Sequence, residues 1–285
     1  MANLKEIRNR ISSVNSTKQI TSAMKMVSAA KLKRAQDAIT QMRPYAEKLT
    51  EILGNLSASL DTPENVYAQK REVKRVLIIP ISSNRGLCGA FNSNVFKSAR
   101  ELADDRFAGA HVEVLALGKK AGELLHKREY RVNQINASIF DSLTYKEAGA
   151  IANRLMNVFE NAEYDEIVLV YNSFKNAASQ LVKQETFLPI VINEEASATV
   201  DYIFEPNKEQ IVEQLIPQSL RTQLFKVLLD SNASEHGARM TAMHKATDNA
   251  TELGKELKLT YNKLRQASIT NEILEIVGGA EALKG

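Results

Sequence analysis

The sequence has one cysteine, no tryptophan and only 6% aromatic residues across 285 positions. A single thiol, Cys88, cannot close an internal disulfide, which excludes a disulfide-stapled scaffold. The four histidines (His111, His126, His236, His244) are scattered, with no pair at metal-motif spacing, so zinc chemistry is not expected. Long apolar runs are absent as well. Val76–Ile81 and Ile167–Tyr171 are among the longest, far short of the about 18 residues a membrane-crossing helix needs. No G-x-G-x-x-G and no Walker lysine loop occurs. What remains is 44% hydrophobic and 25% charged, the balance of a folded protein rather than a disordered one. Few aromatics beside much Ala, Leu, Lys and Glu favour long helices.

Charge is placed unevenly. The net charge is +3, but residues 1–48 hold ten Lys or Arg against three acids. The remainder of the chain is therefore net negative. Three readings compete for the basic stretch. A transit peptide is Arg-rich and acid-poor, but here the helical pattern runs past any plausible cleavage site. A nucleic-acid-binding helix would neutralise phosphates with such charge, but no aromatics are interleaved with it. The favoured reading is a solvated helix face, or one that meets an acidic protein partner.

Both chain ends read as long helices. Leu32, Ala35, Ile39, Met42, Ala46, Leu49, Leu53, Leu56 and Leu60 alternate steps of 3 and 4, the pattern of a helix seam. Leu4, Ile7, Ile11 and Val14 do the same. Between them the apolar positions are Ile20, Met24 and Val27, which predicts a stripe on a shifted face. One helix of about 55 residues, roughly 80 Å long, follows. Pro44 is expected to bend it, since the stripe keeps phase across the proline. At the other end, Pro206 and Pro217 come first, the second placed for a first helical turn. Ala246, Ala250, Leu253, Leu257, Tyr261 and Leu264 form one stripe; Ile269, Ile273, Ile276, Ala280 and Leu283 form the next. This helix is expected to run about 65 residues, on the order of 100 Å. A typical globular helix has about 11–12 residues. Each long helix has one apolar stripe to cover, and the nearest cover is the other helix in an antiparallel coiled coil. A longer helix must project beyond its partner, and its apolar tip then needs something else around it.

Residues 73–200 differ. Apolar runs at Val73–Ile81, Val112–Leu117 and Ile167–Tyr171 alternate with helical stretches at Phe91–Ala103, Lys119–Lys127 and Thr144–Glu160, the last opened by a Thr144/Glu147 capping box. Strand–helix alternation predicts a parallel-type sheet with helices packed on it. Residues 61–72 and 193–208 are the expected hinges. The fold class is thus α/β: a coiled coil of the terminal helices (1–60 and 207–285) plus a central Rossmann-like α/β domain (73–200).

The search for chemistry finds little. Ser82–Gly89 follows a strand and opens a helix, where an α/β sheet would bind phosphate, but it offers only a G-x-x-G. Cys88 near that helix start has no placed histidine partner and reads as a small buried residue. Ser22-Ala23-Met24-Lys25 and Ser28-Ala29-Ala30-Lys31 match S-x-x-K but lack the companion motifs of serine acyl enzymes. The methionine pairs Met24/Met26 and Met240/Met243 fit helix packing better than a soft ligand site. Sequons at Asn15, Asn55, Asn136, Asn232 and Asn249 carry no glycan argument without a signal peptide. No catalytic, cofactor-binding or metal-binding constellation emerges.

The ends nevertheless resemble a known family. Ile20-Thr21-Ser22-Ala23-Met24-Lys25-Met26-Val27-Ser28-Ala29-Ala30-Lys31 looks like the N-terminal helix of ATP synthase gamma subunits. Arg85-Gly86-Leu87-Cys88-Gly89 resembles their central-domain loop. The most specific match is Arg265-Gln266-Ala267-Ser268-Ile269-Thr270-Asn271-Glu272 followed by Glu275-Ile276-Val277-Gly278-Gly279-Ala280, supported by Ala242-Met243 and Ala246-Thr247-Asp248-Asn249-Ala250. The resemblance spans nearly the whole chain, and the start at Met1 fits a bacterial form without an organelle presequence.

The resemblance implies a rotor. The terminal helices would form a coiled coil inside a hexamer of three alpha and three beta subunits. The α/β domain would sit below, against the epsilon subunit and the membrane ring of c subunits. It implies peripheral attachment to the cytoplasmic side of a bacterial inner membrane, no cofactor, and nucleotide chemistry on beta. By the same resemblance Arg265, Gln266, Thr270 and Glu272 contact beta, Met24 and Lys25 lie on the facing side of the coil, and Phe204 and Glu205 belong to the foot near the ring. Chloroplast members carry an inserted segment with a cysteine pair; with Cys88 alone, thiol switching is not expected. Two other hypotheses stay beside this one. A Rossmann-like enzyme with helical arms predicts saturable nucleotide binding to residues 73–200. A coiled-coil nucleic-acid binder using residues 1–48 predicts strongly salt-dependent affinity.

Overall fold

The computed structural model describes residues 4–57, 66–69, 71–177, 179–190 and 208–282. Phe204, Glu205, Leu60, Leu283 and most of the hinge at 193–208 lie outside them. The chain falls into two compact units, Ser28–Arg239 and Met1–Val27 with Met240–Gly285. Helix α1 spans Leu4–Ser57, 54 residues, and runs through Pro44. Helix α5 spans Lys208–Ala282, 75 residues, and runs through Pro217. The sequence had placed Pro217 in a first turn; the helix instead begins nine residues earlier, so the proline is interior.

The first unit is built on one sheet. Its strands are β1 (Arg75–Pro80), β2 (His111–Leu117), β3 (Val132–Asn136), β4 (Glu166–Phe174) and β5 (Gln180–Leu188), in spatial order β3-β2-β1-β4-β5. β1 pairs parallel with β2 and β4, β2 parallel with β3, and β4 antiparallel with β5. β1 and β4 are buried on both faces, which is why each reads as a continuous apolar run. β3 and β5 were not foreseen. They are the two edges, and their sequences (VNQIN, QLVKQETFL) are half polar, with no residue of β3 buried and only Phe187 and Leu188 of β5 buried.

Alternate side chains of the strands serve two cores. On one face Leu77, Ile79, Leu117, Ile167 and Leu169 pack with Leu155 and Phe159 of helix α4 (Tyr145–Glu160) and with Leu220, Leu224 and Leu228 of α5. On the other Val76, Ile78, Val114 and Val168 pack with Val95 and Ala99 of helix α2 (Phe91–Glu101) and Leu125 of helix α3 (Lys119–His126). Half of the expected capping box forms at α4. The Thr144 hydroxyl accepts from the Glu147 backbone N–H at 3.3 Å, while the Glu147 carboxylate takes the Ser142 hydroxyl at 2.9 Å. In this unit α1 presents Leu32, Ala35, Ile39, Ala46 and Leu49, all buried, as one unbroken seam across Pro44. Of Leu53 and Leu56 only the helical backbone is described.

Candidate partner interface on the coiled coil

In the second unit the N-terminal part of α1 pairs with the C-terminal part of α5. The Thr247 hydroxyl donates to Thr21 Oγ1 at 2.8 Å, and Lys25 Nζ lies 3.5 Å from His244 Nδ1. A Cβ on Gly254 would sit 3.7 Å from Val14. Numbers rise on α1 as they fall on α5, so the pair is antiparallel. The α1 seam passes through Ile7, Ile11, Val14, Thr21 and Met24/Lys25. On α5 it passes through Met243, Thr247, Ala250, Gly254, Leu257, Tyr261, Leu264 and Ser268, all buried or half-buried.

This corrects the expected change of face. Ile20 and Val27 are 60% and 57% exposed, and Leu253 is 46% exposed, so none of them is in the seam. Thr21 and Gly254 hold it in their place. Thr21 Oγ1 donates to the Lys18 carbonyl at 3.1 Å, and Thr247 Oγ1 lies 2.8 Å from the Met243 carbonyl. A hydroxyl satisfied by its own helix lets threonine occupy a buried position. Glycine, lacking a Cβ, lets the two helices approach closely there.

The residues singled out for partner contact fall at two levels. Met24 and Lys25 are half-buried opposite His244, whose Nδ1 is also 3.4 Å from Asp248 Oδ2. Arg265, Gln266, Thr270 and Glu272 are exposed. At about 1.5 Å per residue, Arg265 lies roughly 30 Å along α5 from His244. The two groups are therefore not brought together. Thr270 Oγ1 donates to the Gln266 carbonyl at 2.9 Å, and Ser268 Oγ donates to Glu272 at 3.2 Å.

Val14 stands at the level of Gly254, so the ten residues from Val14 back to Leu4 reach only to the neighbourhood of Leu264. Past that level α5 has no described partner in this chain. Ile269, Ile273 and Ile276 are 47%, 55% and 71% exposed, with Leu274 and Val277 also bare. At about 100° per residue Ile269, Ile273, Ile276 and Ala280 lie on one side, with Asn271 and Glu275 turned away from it. An apolar stripe of this length in water marks a surface that another chain covers.

The Ser82–Gly89 loop, which opens α2, also caps a second helix, α3. Ser82 Oγ accepts from the Ala121 N–H at 3.0 Å, the Ser83 carbonyl from Lys120 N–H at 3.1 Å, and Asn84 Oδ1 from Lys119 N–H at 3.2 Å. The first amides of α3 are thus filled by the loop itself. Gly118, at φ +98°, is required there, because a Cβ would overlap the Ser82 carbonyl. Cys88 is buried, and burial pushes its thiol pKa up. Among the described residues no group of three or more His, Cys, Asp or Glu could hold a metal. Sequence reasoning missed Glu235 and Arg239 on α5. Arg239 Nη1 donates to Glu235 at 2.6 Å, and Nη2 donates to the carbonyls of Arg85 and Gly86 at 3.2 and 3.4 Å. Their spacing of four was legible as a helical ion pair; their burial was not.

The sequence matches the ATP synthase family over residues 3–283. The ATP synthase gamma chain of Flavobacterium johnsoniae is 64% identical over 288 residues, and that of Christiangramia forsetii 61% over 287, each match covering 100% of both chains. A chain in the Euglena gracilis mitochondrial ATP synthase, OSCP/F1/c-ring, superposes with a TM-score of 0.70 at 24% identity, covering 98% of this chain and 94% of that one. That likeness establishes the shared fold. A chain of the Tetrahymena thermophila mitochondrial ATP synthase central stalk and c ring superposes with a TM-score of 0.60 at 28% identity, covering 80% of this chain and 99% of that one.

Proposed function

The chain belongs to the ATP synthase gamma family, and from that premise we propose that it is the central rotor shaft of a bacterial F-type ATP synthase. The observation that carries this is the full-length identity of 61–64% to gamma chains. Its partners are three alpha and three beta subunits, the epsilon subunit and the c ring. Ion flow turns the ring, the ring turns this chain, and the turning shaft drives nucleotide chemistry on beta. This chain is itself non-catalytic and binds neither cofactor nor nucleic acid.

The bare end of α5 gives the coupling a physical basis. Its isoleucine side and its Asn271/Glu275 side differ in chemistry, so each beta subunit meets a different surface as the helix turns. A contact shifts a conformational equilibrium only by its difference in free energy between the two states. An asymmetric shaft supplies such a difference in rotation order. We assign Arg265, Gln266, Thr270 and Glu272 to the beta contact, with Met24 and Lys25 at a second level. Phe204 and Glu205, outside the described residues, are assigned to the foot at the ring. Residues 1–60 and 207–285 act as the shaft and 73–200 as the foot.

Among the described residues no helix is long and apolar enough to cross a membrane. Attachment is therefore assigned to the complex, at the cytoplasmic face of the inner membrane. Reconstitution with alpha and beta subunits tests the reading. One copy of this chain per three alpha/beta pairs, with accelerated ATP hydrolysis, is the expected result. A folded chain that neither joins the complex nor changes its ATPase rate overturns it.

A further inference from the structure

The sheet unit holds a cavity of about 180 Å³ beside α4 and over β1, β2 and β3. Its floor is apolar, made by Leu77, Leu115, Leu117 and Leu155. Its polar wall comes from a break in the β2–β3 register. Val114 pairs with Val132 and Leu115 with Gln134, so Asn133 is skipped. In an unbroken strand consecutive side chains point to opposite faces. The bulge turns Asn133 and Gln134 to the same cavity, where Asn136 joins them. A bulge is a regular means of re-aiming a side chain beside a site.

Glu113 secures the far wall. Its carboxylate, 8% exposed, accepts from the Tyr164 hydroxyl at 2.6 Å, from Asn133 Nδ2, and from Arg131 Nε at 3.1 Å, with His111 Nε2 also 3.1 Å away. That carboxylate is satisfied, and it holds Tyr164 and Asn133 in place. Arg154 stands exposed at the mouth and gives one N–H to Gln134 Oε1 at 3.2 Å. Asn136 Oδ1 accepts from the Ser138 hydroxyl at 3.1 Å. The described bonds leave over the amide N–H groups of Gln134 and Asn136 and the other N–H groups of Arg154. These are donors; Asn133 Oδ1 is the acceptor among them.

A donor-rich mouth over a leucine floor selects an acceptor head on an apolar body. The arginine favours a charged head, since hydrogen bonds between ionised partners are the stronger ones. Glu163, exposed on the same rim, disfavours a second negative charge. Volume sets the size. An apolar cavity of about 150 Å³ holds benzene, so this one has room for a single ring with one small substituent. We propose that the cavity binds a small aromatic monocarboxylate, its carboxylate on Arg154, Gln134 and Asn136 and its ring on the leucine floor. The site goes beyond the shaft reading and does not depend on it.

Benzoate is the probe. The methyl-labelled full chain is titrated with benzoate, benzyl alcohol and benzylammonium, and the Leu115, Leu117 and Leu155 methyl resonances are followed. Benzoate should saturate one site with a Kd on the order of 1 mM, within reach of a ligand of this size. Benzyl alcohol should bind about tenfold more weakly, for want of the charge-assisted contact, and benzylammonium not at all. Arg154→Gln should weaken benzoate about tenfold and leave benzyl alcohol unchanged. Its thermal midpoint should stay at the parent value, because the side chain is exposed. Leu115→Phe, which fills the cavity, should abolish binding of both. Shifts that do not saturate, equal affinities for benzoate and benzyl alcohol, or undiminished benzoate binding in Arg154→Gln would each overturn the proposal. Should Leu115→Phe fail to fold, Arg154→Gln decides alone. None of these outcomes bears on whether the chain is a shaft, which the reconstitution above decides.

Discussion

Two stretches of α5 use similar residues in opposite ways. Around Leu220, Leu224 and Leu228 the helix packs its leucines into the sheet core, and these side chains are 2%, 0% and 0% exposed. Even its polar groups there are covered, with Asp230, Ser231 and Ser234 buried. Around Ile269, Ile273 and Ile276 the helix shows isoleucines to solvent. Hydrophobicity is the same at both ends; coverage differs. The first stretch is finished by its own chain. The second outruns the part of α1 that could cover it, and is left bare among the described residues. Burial thus separates residues that hold the fold from those the proposed function assigns to the assembly.

The largest expected effect tests that division by stability. Leu228→Ala should lower the unfolding free energy by about 2–5 kcal/mol, the range for a cavity in a packed core. Ile276→Ala should change it by less than about 0.5 kcal/mol in the isolated chain, as for exposed positions generally. Urea unfolding of both variants would erase the contrast if they proved equal.

Next comes pH. Burial, then Arg239 and Lys31, push His236 down to about 4 from its ordinary 6.5. Below pH 6.5 the unfolded chain takes up a proton that the folded chain refuses until about pH 4. The stability contribution of neutral His236 is complete above pH 6.5 and is lost as pH falls through that window. The gap corresponds to roughly 3 kcal/mol at most. Asp230 and Glu235, whose carboxyl pKa values burial raises, act in the opposite direction. The readout is therefore the difference from His236→Gln, which should lose less stability between pH 6.5 and 4 than the parent.

Added or reversed charge probes the other side of the comparison. Met24→Lys or Glu272→Lys should reduce protons pumped per ATP hydrolysed by about tenfold, the scale of 1.4 kcal/mol, while assembly and ATP hydrolysis persist. Full coupling in both variants would remove these residues from the interface. The smallest effect lies in the coil seam. Thr247→Val should cost about 0.5–1.5 kcal/mol, whereas pairing it with Thr21→Val should recover most of that, since both hydrogen-bonding groups then leave together. Thermal melts of the single and double variants decide it.

The long helices and the strands β1, β2 and β4 were legible because each is a sustained apolar pattern. Edge strands β3 and β5 were not, since half of each is polar and no run forms. The seam was misread between Val14 and Leu32 for a related reason. Thr21 and Gly254 are not apolar by any scale, yet a self-satisfied hydroxyl and a missing Cβ suit them to the contact better than Ile20 or Leu253. The bare end of α5 was foreseeable from the unequal helices. The Glu235–Arg239 clamp was not, because an i,i+4 ion pair reads as a surface feature until the packing around it is known. The partner roles of Arg265, Gln266, Thr270 and Glu272 came from resemblance, not from spacing.

The most direct test of the account is hydroxyl-radical footprinting of the full chain, alone and assembled with alpha and beta subunits. Ile269, Ile273 and Ile276 should react in the free chain and become protected in the complex, while Leu228 stays unreactive in both. Isoleucines that remain reactive within a stable, ATP-hydrolysing complex would contradict the claim that this end of α5 is the surface the assembly covers.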